Sequence, residues 1–177
     1  MGARIVTLMR TIRHTFELGC RSCPDDSWLD ITKRSAISIE SLDVHRDAVM
    51  VRVLVTACRI SRQGMAGKLT AAGLLGECTS RPGRNVSAWL ARADTIDPAG
   101  LVTLTVVTVG VKRRFSISWL LVAPAARRRG VATELVRHVL VQAQSAGASE
   151  VHVETLESWT DADAFWQNLA ARFTPEG

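Results

Sequence analysis

The sequence predicts an α/β domain built on a mixed, largely antiparallel sheet flanked by helices. Three observations predict it. Strand and helix periodicities alternate from about residue 33 in the order β-α-α-β-β-β-α-β-α. The three central strand runs are separated by short, turn-forming segments, as an antiparallel meander requires. Finally, residues 120–132 join an apolar strand to an amphipathic helix through an Arg-rich turn that contains a glycine. With 177 residues, 47% of them hydrophobic, the chain is long enough to bury the core of one such domain. Residues 33–177 are expected to carry that domain, with residues 1–32 as an N-terminal extension.

In the extension, Ile5, Leu8, Ile12 and Phe16 fit one helical face. Arg4, Arg10, Arg13 and Arg21 accompany them, and Glu17 is the first acid. Such a composition suits an organellar leader or a plain extension, and the plain extension is the expectation. Residues 36–42 alternate apolar and polar side chains and read as the first strand. Asp43 then caps a helix over residues 45–60. That stretch is β-branched, but Val49, Val53 and Ala57 recur at i, i+4 and i+8, which favours helix over strand. A second helix is expected over residues 65–75, with Gly64 before it and Gly76 at its end.

Residues 86–93, 101–109 and 114–122 read as three strands, separated by residues 94–100 and 110–113. The helix that follows, running to about Ala146, places Val131, Leu135, Val139 and Ala143 on one stripe. Gly147 ends it, residues 150–155 read as a fifth strand, and residues 161–171 as the last helix.

Composition narrows the function classes. A formal charge of +5 favours anionic ligands, and Arg127, Arg128 and Arg129 concentrate part of it in one turn. No basic stripe interleaved with aromatics is present, so no specific nucleic acid is expected. The four cysteines are Cys20, Cys23, Cys58 and Cys78, with a single CxxC and no histidine at ligand spacing, which argues against zinc. No apolar run approaches the ~20 residues that span a bilayer. No membrane association and a cytoplasmic location, with reduced thiols, are expected.

The strongest chemical signal is the turn after the fourth strand. Pro124 stops that strand, and the helix that follows opens on N–H groups with no helical acceptor and on the positive end of its dipole. An anion such as a pyrophosphate can be held there by main chain alone. Gly130 lets a ligand approach the backbone, and the arginines add charge-assisted contacts.

The residues Val122-Ala123-Pro124 followed by Arg127-Arg128-Arg129-Gly130-Val131-Ala132 resemble the acetyl-CoA-binding motif V-x-P…R/Q-x-x-G-x-G/A of the GNAT superfamily of N-acetyltransferases. The resemblance runs from about residue 33 to the C-terminus, since the element order is also that of the GNAT fold. It implies acetyl-CoA as co-substrate, lying between two splayed parallel strands that end near Val122 and Thr155. The implied cofactor-binding residues are Leu120, Leu121 and Val122 on the strand, and Arg127, Arg128, Arg129, Gly130, Val131, Ala132 and Thr133 in the turn and first helical turn. An amine would attack the thioester directly, without a covalent enzyme intermediate. The general base is expected among Glu154, His152, Glu157 and Asp161, with Glu154 the first choice for the catalytic residue. No metal is implied.

The C-terminal region departs from the family. Many relatives carry a tyrosine there as general acid, and Trp166 stands at that position in a chain without any tyrosine. An indole N–H cannot release a proton at neutral pH. The family's last strands are also missing or supplied differently, which would leave a sheet edge open or let a second copy form a homodimer. Trp89 is a further candidate, for lining the acceptor site. Three readings follow: an acetyl-CoA-dependent N-acetyltransferase for a primary amine of a small molecule or protein, a catalytically weak acetyl-CoA-binding sensor or partner subunit, and a basic nucleic-acid-associated module.

Overall fold

The computed structural model describes residues 11–18, 36–58, 70–93, 95–156 and 160–171. They form strands β1 (Thr11–Glu17) and β2 (Ile37–Ser41), helices α1 (Ala48–Cys58) and α2 (Ala71–Glu77), and strands β3 (Arg84–Ala93), β4 (Ile96–Val109) and β5 (Lys112–Val122). Helix α3 (Val131–Ser145), strand β6 (Glu150–Leu156) and helix α4 (Thr160–Ala170) complete the order. One sheet runs β1-β6-β5-β4-β3-β2, with β5 and β6 parallel and every other neighbouring pair antiparallel.

The expected alternation of elements from residue 36 onward is present, and the differences have local causes. Asp43 closes a turn rather than the expected helix start: its Oδ1 accepts from the N–H groups of His45 and Arg46 at 2.9 and 2.8 Å, and α1 begins only at Ala48, not at residue 45. Helix α2 starts at its cap Thr70, whose hydroxyl accepts from Gly73 N at 3.0 Å, and it continues through Gly76 to Glu77. Gly76 therefore sits inside the helix, and the expected residues 65–69 lie outside the described part. Strand β4 begins at Ile96, in what the sequence suggested was a turn. Pro98 is tolerated there because the β3–β4 register shifts between Ala91 and Ala93, so that no ladder bond is required of it.

The helical face expected near the N-terminus is instead strand β1. Ile12 and Phe16 are four residues apart, an even number, so an extended chain also places them on one side. Pairing with β6 decides the matter: Thr11 to Glu17 run against Leu156 to Glu150, and the burial pattern alternates. Ile5 and Leu8 lie outside the described residues. A strand from within residues 1–32 thus occupies the sheet edge beside β6, where the family's C-terminal strands were expected to be lacking. The edge expected to be open to a second copy is filled by the chain itself.

Residues 99 to 105 of β4 are buried at both parities, so helices cover both faces there. Helix α3 lies over the face of Gly100, where a Cβ would meet Leu135 and Val131. Following the register from Gly100 and Leu104 through Ile117 and Val153 to His14 and Phe16, the same face reaches α4, whose Trp166 packs against Phe16. Helices α1 and α2 pack on each other, and α1 covers β4 and β5 from the opposite side. The core includes Leu54, Leu101, Val102, Val131, Leu135, Val139, Val151 and Phe16.

Candidate active site

Strands β5 and β6 pair at two positions, Ser116 with His152 and Ile117 with Val153, and then part. The cause lies in β5. Between Thr103 and Leu104 of β4 the facing residue jumps from Trp119 to Ile117, so Ser118 is an extra residue in the strand. A bulge of this kind bends the strand that carries it. It is held by the Thr105 and Ser118 hydroxyls, 2.8 Å apart, and by Trp119 N donating to Thr103 Oγ1 at 2.9 Å. Beyond the bulge, β5 follows β4 and β6 follows β1, and a wedge-shaped gap opens between them.

The last residues of β5 offer backbone groups to that gap. Ala123 N donates to Ala99 O at 2.9 Å, on the β4 side, so by strand alternation the peptide groups of Leu120 and Val122 point toward the gap and those of Leu121 toward β4. Leu121 is buried, and Leu120 and Val122 are half-buried. A single 3-10 turn, Pro124–Ala126, then leads into the arginine turn. Arg127, Arg128, Arg129 and Gly130 are exposed, while Val131 is buried and anchors α3.

Two residues of this turn have left-handed backbone, Arg128 at φ +62° and Gly130 at φ +82°. The chain thereby reverses into the helix within two residues. The first helical bond is Glu134 N to Gly130 O at 3.0 Å, so the N–H groups of Val131, Ala132 and Thr133 precede any helical acceptor. The gap and this helix start are consecutive in the chain, as a cofactor with an extended arm and a phosphorylated head requires. Cys58, at the end of α1, approaches the same place: its thiol lies 3.5 Å from Val122 O, and Arg127 Nε reaches that carbonyl at the same distance. Burial pushes the Cys58 thiol up, and the Arg127 charge opposes this in part. Nothing in the sequence pointed to Cys58 here.

The candidate bases are distributed as follows. Glu154 is exposed on the sheet face opposite α4, one residue past the last β5–β6 pair, and its Oε1 accepts from Arg13 Nε and Nη2 at 3.1 and 2.5 Å. His152 lies on the same face, with its ring between Thr15 Oγ1 at 3.3 Å and Glu150 Oε1 at 3.1 Å. Asp161 is exposed on α4, and Glu157 lies outside the described residues. Trp166 is 5% exposed and makes edge contacts with Phe16 and Phe165, so its position holds a core residue. Trp89 does not line the site. It is buried under α3, edge-on to His138 at 5.1 Å. A concavity of about 610 Å³ bounded by Val107, Lys112, Arg114 and His152 lies toward the opposite end of β5, away from the gap. Cys20 and Cys23 are outside the described residues, among which no cluster of metal-binding side chains occurs and no helix is long and apolar enough to cross a membrane.

The acetyltransferase (GNAT) family model matches residues 70–170, from the cap of α2 to the last residue of α4. No curated protein matches the sequence. Among solved structures, a fungal multi-domain GH3 β-N-acetylglucosaminidase with a GCN5-related glucosamine N-acetyltransferase region is similar at 16% identity and a TM-score of 0.61, covering 75% of this chain and 16% of that one. The chain thus spans about a sixth of that protein's length. The ribosomal-protein-alanine N-acetyltransferase from Brucella melitensis biovar Abortus 2308 is similar at 16% identity and a TM-score of 0.57, over 75% of this chain and 90% of that one. The aminoglycoside N-acetyltransferase AAC(6')-Iy in complex with CoA is similar at 17% identity and a TM-score of 0.58, over 75% of this chain and 86% of that one. A six-stranded sheet parted beside the arginine turn, within a family match that spans more than half the chain, identifies it: the protein is an acyltransferase that belongs to the acetyltransferase (GNAT) family.

Proposed function

We propose that the protein transfers the acetyl group of acetyl-CoA directly to a primary amine, and that the gap between β5 and β6 holds the cofactor. The pantetheine arm pairs with the peptide groups of Leu120 and Val122, while Leu121 anchors the strand in the core. The pyrophosphate rests on the N–H groups of Gly130, Val131, Ala132 and Thr133, with Arg127, Arg128 and Arg129 placed to add charge-assisted contacts. The observation that carries this reading is the parting of β5 from β6 at Ile117 and Val153, next to the arginine turn in the chain.

The amine approaches from the face opposite α4, where Glu154 lies. As nitrogen attacks the thioester carbonyl, the C–N bond forms, the amine proton passes to Glu154 or water, and the C–S bond then breaks. Arg13 orients the Glu154 carboxylate through Oε1 and leaves Oε2 to face the amine. Preorganised N–H groups of β5 act on the oxyanion. Two of the similar structures are named for a protein alanine and for an aminoglycoside as acceptors, and primary amines of either class remain within this reading.

A thermal-shift titration with acetyl-CoA tests it, on the wild type and on an Arg127→Ala, Arg128→Ala, Gly130→Asp triple variant. A ligand that binds the native state adds about 2.7 kcal/mol at a hundredfold excess over its dissociation constant. The wild type should shift and the folded variant should not. Two cooperative melts that both ignore acetyl-CoA would sink the reading. Burial of Trp166 at the tyrosine position favours a second one, an acetyl-CoA-binding protein with weak transfer, which would give a shift without amine-dependent release of CoA.

A further inference from the structure

Three polar side-chain atoms between α4 and strands β1 and β6 are buried without a hydrogen-bond partner among the described residues: His14 Nε2, Thr155 Oγ1 and Asp163 Oδ1. His14 and Thr155 are 8% and 4% exposed. His14 Nε2 lies 3.1 Å from Asp163 Oδ1, within ion-pair range but not aligned as a hydrogen bond. Thr155 Oγ1 has no hydrogen-bond partner among the described residues. Asp163 is held in place from its other side, where Oδ2 accepts from Gln167 Nε2 at 2.8 Å. Buried groups left unpaired in this way destabilise a fold, and a cluster of them is a common mark of a functional site.

The register places this cluster beside the gap. His14 faces Val153, and Val153 faces Ile117, the last pair before β5 and β6 part. Ile12 faces Thr155, so His14 and Thr155 are diagonal neighbours on one sheet face, within side-chain reach. Thr155 therefore stands on the β6 wall of the gap with His14 behind it. Trp166 lies further down, at the level of Phe16 and its partner Val151. Asp163 is the charged group that faces His14 from α4, while Arg13 and Glu154 on β1 and β6 project to the opposite face.

We propose that Asp163, His14 and Thr155 form a proton relay that protonates the departing CoA thiolate, a task for which this chain has no tyrosine. The inference rests on the acetyl-transfer reading above. When the C–S bond breaks, its electron pair goes to sulfur. The Thr155 hydroxyl gives its proton to that sulfur and takes one from the His14 ring. Solvent returns a proton to the ring beside the partly exposed Asp163, so the products are the acetylated amine and CoA as a free thiol. Thr155 touches the leaving group, and His14 and Asp163 act through it.

The test uses the full chain with acetyl-CoA and hydroxylamine as a small acceptor, following free CoA with a thiol-reactive chromophore. His14→Gln and Thr155→Val should each lower kcat by about a hundredfold, the low end of what a positioned proton donor contributes. Half-saturation by acetyl-CoA in thermal shift should stay unchanged. Thr155→Ser should keep the wild-type rate, the rescue by a hydroxyl that a merely structural role for Thr155 would not require. Cooperatively melting His14→Gln and Thr155→Val variants with wild-type kcat would overturn the relay. If His14→Gln fails to fold, the isosteric Thr155→Val decides alone. A wild type that binds acetyl-CoA but releases no CoA above buffer overturns the relay and leaves the cofactor site standing. A wild type that does not bind acetyl-CoA overturns the acetyl-transfer reading, and the relay with it.

Discussion

Gly100 of β4 lies directly under Leu135 of α3: a Cβ built on the glycine would come within 2.9 Å of Leu135 Cδ1, 3.1 Å of Val131 Cγ1 and 2.8 Å of Leu121 O. The close approach seats the start of α3 against the end of β5, and so fixes the arginine turn relative to the gap. Leu121 O is backbone and cannot move aside. Gly100→Ala should therefore destabilise the protein by about 1–3 kcal/mol, the usual cost of overpacking. Urea unfolding would measure it, and the same variant should bind acetyl-CoA more weakly because α3 must shift outward.

Gly130 tests the turn without touching the core. A Cβ there meets nothing within 4 Å, but φ is +82°, where any other residue is strained. Gly130→Ala should cost about 1–2 kcal/mol of stability. Its larger effect falls on the ligand, because relief of the strain rotates the Gly130 and Val131 N–H groups. Isothermal titration should show acetyl-CoA affinity lowered at least tenfold; an unchanged dissociation constant would remove the pyrophosphate from this turn.

Cys58 supplies a footprint of the cofactor. Its thiol lies 3.5 Å from Val122 O, a carbonyl that faces the gap, and burial holds the thiol above its ordinary pKa. Alkylation by N-ethylmaleimide should be slow and should slow further with saturating acetyl-CoA. Peptide mass spectrometry reads the labelling at Cys58 separately from that at Cys78, whose buried thiol is pushed up to about 11. Equal Cys58 labelling with and without ligand would place the pantetheine elsewhere.

His138 makes stability depend on pH. Its ring packs edge-on to Trp89, and burial lowers its pKa below the ordinary 6.5. The unfolded chain then takes up a proton at a higher pH than the folded one, so the stabilising effect of neutral His138 is present above pH 6.5 and lost as pH falls below it. Melting temperature should drop through that window, and the part due to this residue should vanish in His138→Phe. A variant with the wild-type slope would assign the loss to other groups.

The motif around Gly130 was legible in the sequence because its physics is local. A strand stopped by proline, a glycine that takes up left-handed backbone without strain and an amphipathic helix are all set by neighbours along the chain. The meander from β3 to β5 was legible for the same reason. Strand β1 was not. Ile12 and Phe16 share a side in both helix and strand, and the choice was made by β6, far along the chain. Pro98 misled in a similar way, since a bulge in the β3–β4 pair removes the need for its missing N–H.

By itself the sequence determined the class of the domain, the order of its central elements and the turn that suits an anionic cofactor. Tertiary structure decided what stands beside that turn: the bulge at Ser118 that parts β5 from β6, the packing of Trp166 and Trp89 into the core, and the N-terminal strand that brings His14 to Asp163. Each depends on contacts between residues remote in sequence, and periodicity carries no information about which remote segment will supply a strand's partner.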